Sequence, residues 1–268
     1  MSEADAIERV DEPGTVESLA ADLRALGVAA GDTLLVHSSL SSLGWVAGGP
    51  QAVVDALQTV LTDDGTLVMP THTGQYTDPS AWENPPVPDD WVDIIGESMP
   101  PFRPEVTPTR GMGAIPECFR NYPGAVRSEH PTVSFAAWGA AAEDIVADHE
   151  LDYGLGDGSP LARVYDRGGD VLLLGVGHGN DTSLHLAEHR ADFEKTRTTE
   201  HAPLLRDGER VVVEYDDIEV RTDDFEAVGE AFETTVGATA GSVAAATATL
   251  LDQPALVDFA EDWFESNR

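Results

Sequence analysis

The chain is 268 residues long, 41% hydrophobic, with a net charge of −34 from 49 acidic against 15 basic side chains. No apolar run approaches the ~18 residues of a membrane-spanning helix. The polar, acidic start Met1–Gly14 reads as no secretory leader, and the single cysteine, Cys118, excludes an internal disulfide framework and fits a reducing cytoplasm.

The acids are spread along the whole length (Asp5, Glu8, Asp63, Asp90, Glu143, Asp216, Glu261), and Lys195 is the only lysine. Such a distribution describes a solvated anionic shell suited to a halophilic, salt-rich cytoplasm, where ions screen its self-repulsion. It argues against nucleic acid, whose phosphates call for clustered Lys and Arg.

In chain order, Thr15 caps a predicted helix to Leu26, with Val16, Leu19, Leu23 and Leu26 on one face and Gly27 ending it. A strand at 33–36, a helix at 50–61 and a strand at 66–69 then alternate as β, α, β, the pattern of a parallel sheet. Residues 74–106 are too proline-rich and too long for an ordinary connection; Trp82 and Trp91 suggest an ordered flap that packs down on the body. Further on come a short helix at 116–121, a strand at 132–138, helices at 140–148 and 159–167, and a strand at 171–174. A helix around His185, a strand at 210–215 and helices at 223–233 and 255–264 complete the reading. The Ala-, Thr- and Gly-rich run 234–250 can pack closely against this chain or another, so an oligomer is compatible with the sequence. No repeat or linker divides the chain, which reads as one domain over 1–268.

The chemistry-bearing residues gather in turns that follow strands, where open α/β sheets bind ligands. His37-Ser-Ser-Leu-Ser-Ser-Leu-Gly44, followed by Gly48-Gly49-Pro50, offers hydroxyls and free N–H groups to an anion at a helix N-terminus; a serine-rich cap is the plainer alternative. Met69-Pro-Thr-His-Thr-Gly74 is a second such turn. Thr107-Pro-Thr-Arg-Gly-Met-Gly113 lies in a stretch holding Arg103, Arg110, Arg120 and Arg127, which either meets an anion or pairs with Glu105 and Glu117. His130 is a cap or a site residue, and Asp157 lies in a glycine-rich turn. Cys118 has no histidine placed to activate it. Thr182-Ser-Leu-His-Leu-Ala-Glu188-His189 puts an imidazole, able to move a proton near neutral pH, beside a carboxylate. The same His185-x-x-Glu188-His189 spacing equals an inverted zinc-protease signature, with Glu200, His201 and Glu214 as further candidate ligands. A zinc hydrolase is therefore the competing reading.

Taken in this order, together with Gly111-Met-Gly-Ala-Ile-Pro-Glu-Cys-Phe-Arg120, Arg127-Ser-Glu-His-Pro131 and the 151–161 segment, these motifs resemble the aminoglycoside 3-N-acetyltransferase family over about 15–233. The resemblance implies an α/β fold: a three-layer α/β/α sandwich with a mostly parallel central sheet. It implies acetyl-coenzyme A as co-substrate, a small primary amine as acceptor, and no metal. It places His37, Ser38, Ser39, Ser41, Ser42, Thr71 and Thr73 on coenzyme A, with Thr107, Met112 and Gly113 adding to that pocket. His185 becomes the general base, Glu188 joins it in the catalytic set, and a glutamate nearer the C-terminus polarises the ring; Glu214 is the placement made here, with Glu226 as its rival.

Overall fold

The structure, a computed structural model, describes residues 3–83 and 85–268. In chain order its elements are α1 (Glu3–Glu8), α2 (Val16–Leu26), β1 (Thr33–Ser38), α3 (Pro50–Leu61), β2 (Thr66–Pro70), α4 (Asp89–Ser98), α5 (Ala114–Phe119), β3 (Val126–Arg127) and β4 (Phe135–Gly139). They continue as α6 (Ala142–Val146), α7 (Pro160–Asp166), β5 (Asp170–Leu174), α8 (Ser183–Arg190), β6 (Arg197–Arg206), β7 (Glu209–Ile218), α9 (Phe225–Thr235), β8 (Thr239–Val243), β9 (Ala246–Asp252) and α10 (Gln253–Asn267).

One sheet runs β3-β4-β2-β1-β5-β9-β8. Its centre, β2-β1-β5, is parallel, and the flanking pairs are antiparallel. As a result β1, β2, β3, β5 and β8 point one way and only β4 and β9 the other. The central strands read as unbroken apolar runs because both faces are covered. Alternate residues divide between two cores with the period of a strand: Leu34, Val36, Leu67, Met69, Leu172 and Leu174 face α2, α3 and α5. Leu35, Val68, Val171 and Leu173 face the helices α6 to α10 on the other side. This is the three-layer arrangement.

Local signals explain the element ends. The Thr15 hydroxyl accepts from Ser18 N–H at 3.1 Å while Thr15 N–H donates to Ser18 Oγ at 2.9 Å, a capping box that opens α2. Gly27, at φ 117°, closes it. The 234–250 run forms β8 and β9, an antiparallel hairpin that extends the sheet beside β5.

The expected flap takes a different form. Residues 74–106 carry two short 3-10 turns and α4, which buries none of its side chains. Trp91 and Ile94 are 54% and 62% exposed, so Trp91 does not pack down as expected. Tyr76 and Phe102 are buried and meet edge to face, and Trp82 is half-buried beneath Arg110, while backbone groups hold the α4 end of the segment. Arg210 donates to the carbonyls of Gly96 and Met99 at 2.6 and 2.8 Å, and Phe102 N–H donates to Pro203 O at 2.8 Å. Both anchors lie on the separate two-stranded ribbon β6-β7.

One glycine sets the loop that leads to α8. His178 lies flat against α9 at Gly229, where an added Cβ would come within 1.9 Å of the imidazole. The ring is fixed there by Glu233, whose carboxylate is 2.8 Å from Nε2. Gly229→Ala is expected to expel the ring and cost about 1–3 kcal/mol of stability, read as a lower midpoint in denaturant titration in high salt.

Candidate functional site

The carboxyl ends of the parallel strands β2, β1 and β5 lie along one edge of the sheet. The turns that leave them are tied together. Ser39 N–H donates to Leu174 O at 3.0 Å, and Ser42 Oγ donates to Gly175 O at 2.8 Å. Gly175 adopts φ 73°, and a Cβ there would strike Ser42 Cβ at 2.5 Å, so the close crossing requires glycine.

Beside this junction is a cavity of about 860 Å³, within the range of sites for cofactor-sized molecules. His37, Ser38, Ser39, Ser41, Met112 and Gly113 line it. So do Gly48 and Gly49, which bring the uncapped N-terminus of α3 to its wall. Free N–H groups at that helix end favour an anion. Trp45, Asn180 and Thr182 also line the cavity. Sequence reasoning did not single out Trp45 or Asn180, because nothing in a Gly-Trp or Asn-Asp pair marks it as a wall; Thr182 was quoted only as the start of the His185 motif.

Four other residues expected to touch coenzyme A hold the chain to itself. Ser42 is spent on Gly175. Thr71 Oγ1 donates to Ser134 O and accepts from Arg127 Nε. Thr73 Oγ1 donates to Pro131 O, and Thr107 Oγ1 accepts from Arg103 N–H. The arginine cluster serves the same internal purpose. Arg127 donates to the carbonyls of Thr71, Pro104 and Thr107; Arg120 pairs with Glu117 at 2.6 Å; Arg110 lies 5.4 Å over Trp82. His130 is a buried structural residue: Nδ1 accepts from Val133 N–H while Nε2 meets Leu151 O at 3.1 Å. Asp157 accepts from Arg190 at the surface.

His185 sits on the first turns of α8, 8% exposed, its ring centroid 4.8 Å from that of Phe225. Its Nδ1 is 2.9 Å from Glu188 Oε2. Glu188 Oε1 accepts from Arg221 N–H at 2.9 Å and from Arg268 Nη1 at 2.5 Å. Burial opposes ionisation of Glu188, but the bonds from His185, Arg221 and Arg268 outweigh it and hold the carboxyl below its usual range. An ionised acceptor fixes the proton on Nδ1. Nε2 then carries the lone pair, and among the described residues it has no hydrogen-bond partner. His185 does not itself line the cavity; it stands behind that wall, close enough that its charge would oppose protonation of His37 and His72.

The partner carboxylate is therefore Glu188, and the Glu214 placement is corrected. Glu214 is on the ribbon, exposed, 3.2 Å from His201. Its rival Glu226 accepts from Gly179 N–H at 2.8 Å. The carboxylate three residues along one helical turn reaches the ring first. The histidines of the zinc-like motif also diverge: His189 stacks edge-on to Tyr153 and lies 3.7 Å from Asp217. Among the described residues no three His, Cys, Asp or Glu side chains converge as a metal site would require.

The other histidines here are held neutral. Burial, and then the charge of His185, lowers His37 to about 3, and His72 to about 3 with further neighbours contributing. Thr182 N–H, 3.4 Å from His37 Nε2, needs that lone pair. Burial takes His130 and His189 to about 4. Unfolded, each would bind a proton near 6.5, so acidification favours the unfolded chain. Burial raises Asp170, Asp181 and Asp217 to about 6, which acts oppositely, but only between about pH 4 and 6. Between pH 7 and 5 the four histidines dominate, and the melting temperature at fixed salt is expected to fall steadily. A flat or rising curve would contradict their neutral burial.

The family profile described as aminoglycoside 3-N-acetyltransferase matches residues 35–265. The chain belongs to the aminoglycoside 3-N-acetyltransferase family. It is 47% identical to the SPbeta prophage-derived aminoglycoside N(3')-acetyltransferase-like protein YokD of Bacillus subtilis (strain 168), over 97% of this chain and 96% of that one. The crystal structure of YokD superposes with a TM-score of 0.96, 46% identity and 98% of both chains covered. AAC-IIIb in a binary complex with CoASH gives a TM-score of 0.86 at 33% identity, covering 95% of this chain and 97% of the other. AAC-VIa bound to sisomicin gives 0.87 at 33%, covering 96% and 99%. The family profile thus spans the serine turn, the cavity lining from Val36 onward and the His185 helix together.

Proposed function

We propose that the protein transfers the acetyl group of acetyl-coenzyme A to the 3-amino group of an aminoglycoside, or to a related small primary amine, in one direct step. One observation carries the reading: a histidine with its proton fixed on Nδ1 and its Nε2 unpartnered stands behind an anion-friendly cavity of about 860 Å³. The relatives solved with CoASH and with sisomicin support the choice of donor and acceptor.

The chemistry follows from these residues. An alkylammonium is protonated at neutral pH and cannot attack a carbonyl until a base removes a proton. The ammonium gives its first proton to solvent; His185 Nε2 accepts the second as the nitrogen bonds to the acetyl carbon and the carbon–sulfur bond breaks, and coenzyme A leaves as the thiolate, to be protonated by the imidazolium or by solvent. Glu188, already bonded to Nδ1, stabilises the resulting imidazolium without taking its proton. His37, Ser38, Ser39 and Ser41, with the α3 N-terminus, would hold the donor; Met112 and Gly113 would form the facing wall. The 74–106 segment and the ribbon that anchors it would set acceptor choice. The protein would work in a salt-rich cytoplasm, a reading supported by its charge.

Acetyl-coenzyme A turnover across a panel of aminoglycosides and simpler amines, followed by thiol release in concentrated KCl, tests the proposal. Turnover with a 3-amino aminoglycoside, insensitive to a zinc chelator, is the expected result. Tight donor binding with no turnover of any amine would overturn it in favour of a binding protein.

A further inference from the structure

The dyad is not self-sufficient. Glu188 is 1% exposed in its side chain, and a lone carboxylate there would favour its protonated form. A protonated Glu188 could not accept from Nδ1, and the tautomer that leaves Nε2 free would lose its support. The bonds from His185 and Arg221 oppose this, and the cation that joins them comes from far along the chain. Arg268, the residue following α10, is itself 1% exposed in its side chain. Nη1 meets Glu188 Oε1 at 2.5 Å. Nε and Nη2 form a fork on Asp224 at 2.8 and 2.5 Å, and Nη2 also reaches Arg221 O at 2.9 Å. The guanidinium plane is seated on Phe264, 3.9 Å from its centroid, with Phe193 at 5.4 Å. Four hydrogen bonds and two aromatic rings thus fix the cation.

The geometry points to Arg268 as a positioning residue of this enzyme, one that keeps Glu188 ionised and aimed so that His185 presents a basic Nε2. The proposal rests on His185 being the general base. Asp224 acts as its counterweight: it aims the guanidinium and draws off part of its charge. Other groups face the dyad too. His189 and Asp217 lie on the ribbon side, His37, His72 and Asp181 at the strand ends, and Lys195 beyond Glu188. The three histidines are neutral at pH 7, and Lys195 Nζ is committed to the carbonyls of His189 and Ala191. None of these makes a hydrogen bond to Glu188.

Electrostatics gives this role a signature that packing lacks. The active form of the dyad, neutral His185 with ionised Glu188, carries one negative charge. Taking away the Arg268 cation disfavours that form against either singly protonated one, so the acid limb of the kcat/KM profile must move to higher pH. Taking away the Asp224 anion must move it to lower pH. With acetyl-coenzyme A and sisomicin as substrates, R268Q is expected to shift the limb up by roughly one unit, a tenfold loss of kcat/KM below it. Affinity for coenzyme A should be unchanged. R268K, which keeps the charge, should hold the wild-type limb with reduced kcat, and D224N should shift it down. A wild-type limb in R268Q, or an R268Q-like limb in R268K, overturns the proposal. Should R268Q fail to fold by circular dichroism, D224N decides, because an unmoved or raised limb there is equally fatal. H185Q separates the two layers of argument. Full activity in H185Q removes the general base itself. An inactive H185Q alongside an unmoved R268Q limb removes Arg268 alone.

Discussion

His185→Ala is expected to lower kcat by about a hundred- to ten-thousandfold while leaving the dissociation constant for coenzyme A unchanged. The split follows from placement. The cavity proposed for the donor is lined by the serine turn, the α3 N-terminus and the 111–113 segment, and His185 is not part of that lining. Removing the ring therefore takes away proton transfer and little donor contact. Isothermal titration with coenzyme A, run beside steady-state turnover, reads both quantities on one preparation. Equal losses in affinity and turnover would mean a distorted pocket. Wild-type turnover would end the general-base assignment. Glu188→Gln should fall between these limits, because an amide can still orient the ring but cannot stabilise the imidazolium.

Salt is expected to have an effect of comparable size on stability. With a net charge of −34, the folded surface repels itself, and at ~0.1 M salt that repulsion reaches about 10 Å, against about 3 Å at ~1 M. Raising KCl from ~0.1 to ~2 M should lift the melting temperature by on the order of 10 °C, several kcal/mol for a chain of this size. The buried Arg268–Glu188 pair lies beyond the reach of that screening. The gain should therefore come without loss of turnover, which scanning calorimetry and activity assays in the same buffers would check. A melting temperature independent of salt would show that the acids are balanced locally, and the halophilic reading would fall.

The elements that the sequence made legible are those with a complete local signal. Helix α3 was read to its observed ends because Pro50 opens it and Asp63-Asp-Gly65 breaks the chain after it. Strands β1, β2 and β5 are short apolar runs between such breaks. What escaped was held by partners distant in sequence. Of the β6-β7 ribbon only β7 was read, although Asp207 and Gly208, at φ 52° and 81°, form the tight turn that the pair Asp-Gly announces. Strands β8 and β9 mix Thr, Val and Leu with Ala and Gly, which strands disfavour, and β9 is placed by pairing along the edge of β5. In the candidate site, the motif already held both members of the His185–Glu188 pair. The carboxylate partner of His185 was sought downstream, whereas Glu188 sat one helical turn away. Arg268 carried no signal, since its meaning lies in a contact eighty positions back.

Strand β1 has consequences for how the molecule assembles. One of its neighbours, β2, follows directly after α3, but the other, β5, is reached only after β3, β4 and four further helices have been laid down. Until then the hydrogen-bonding edge of Leu34, Leu35 and Val36 waits exposed, an adhesive template for another chain. Such distant pairing is intrinsically slow. Renaturation from denaturant should accordingly be sluggish, and its yield should drop as protein concentration rises, as intermolecular pairing competes with the arrival of β5.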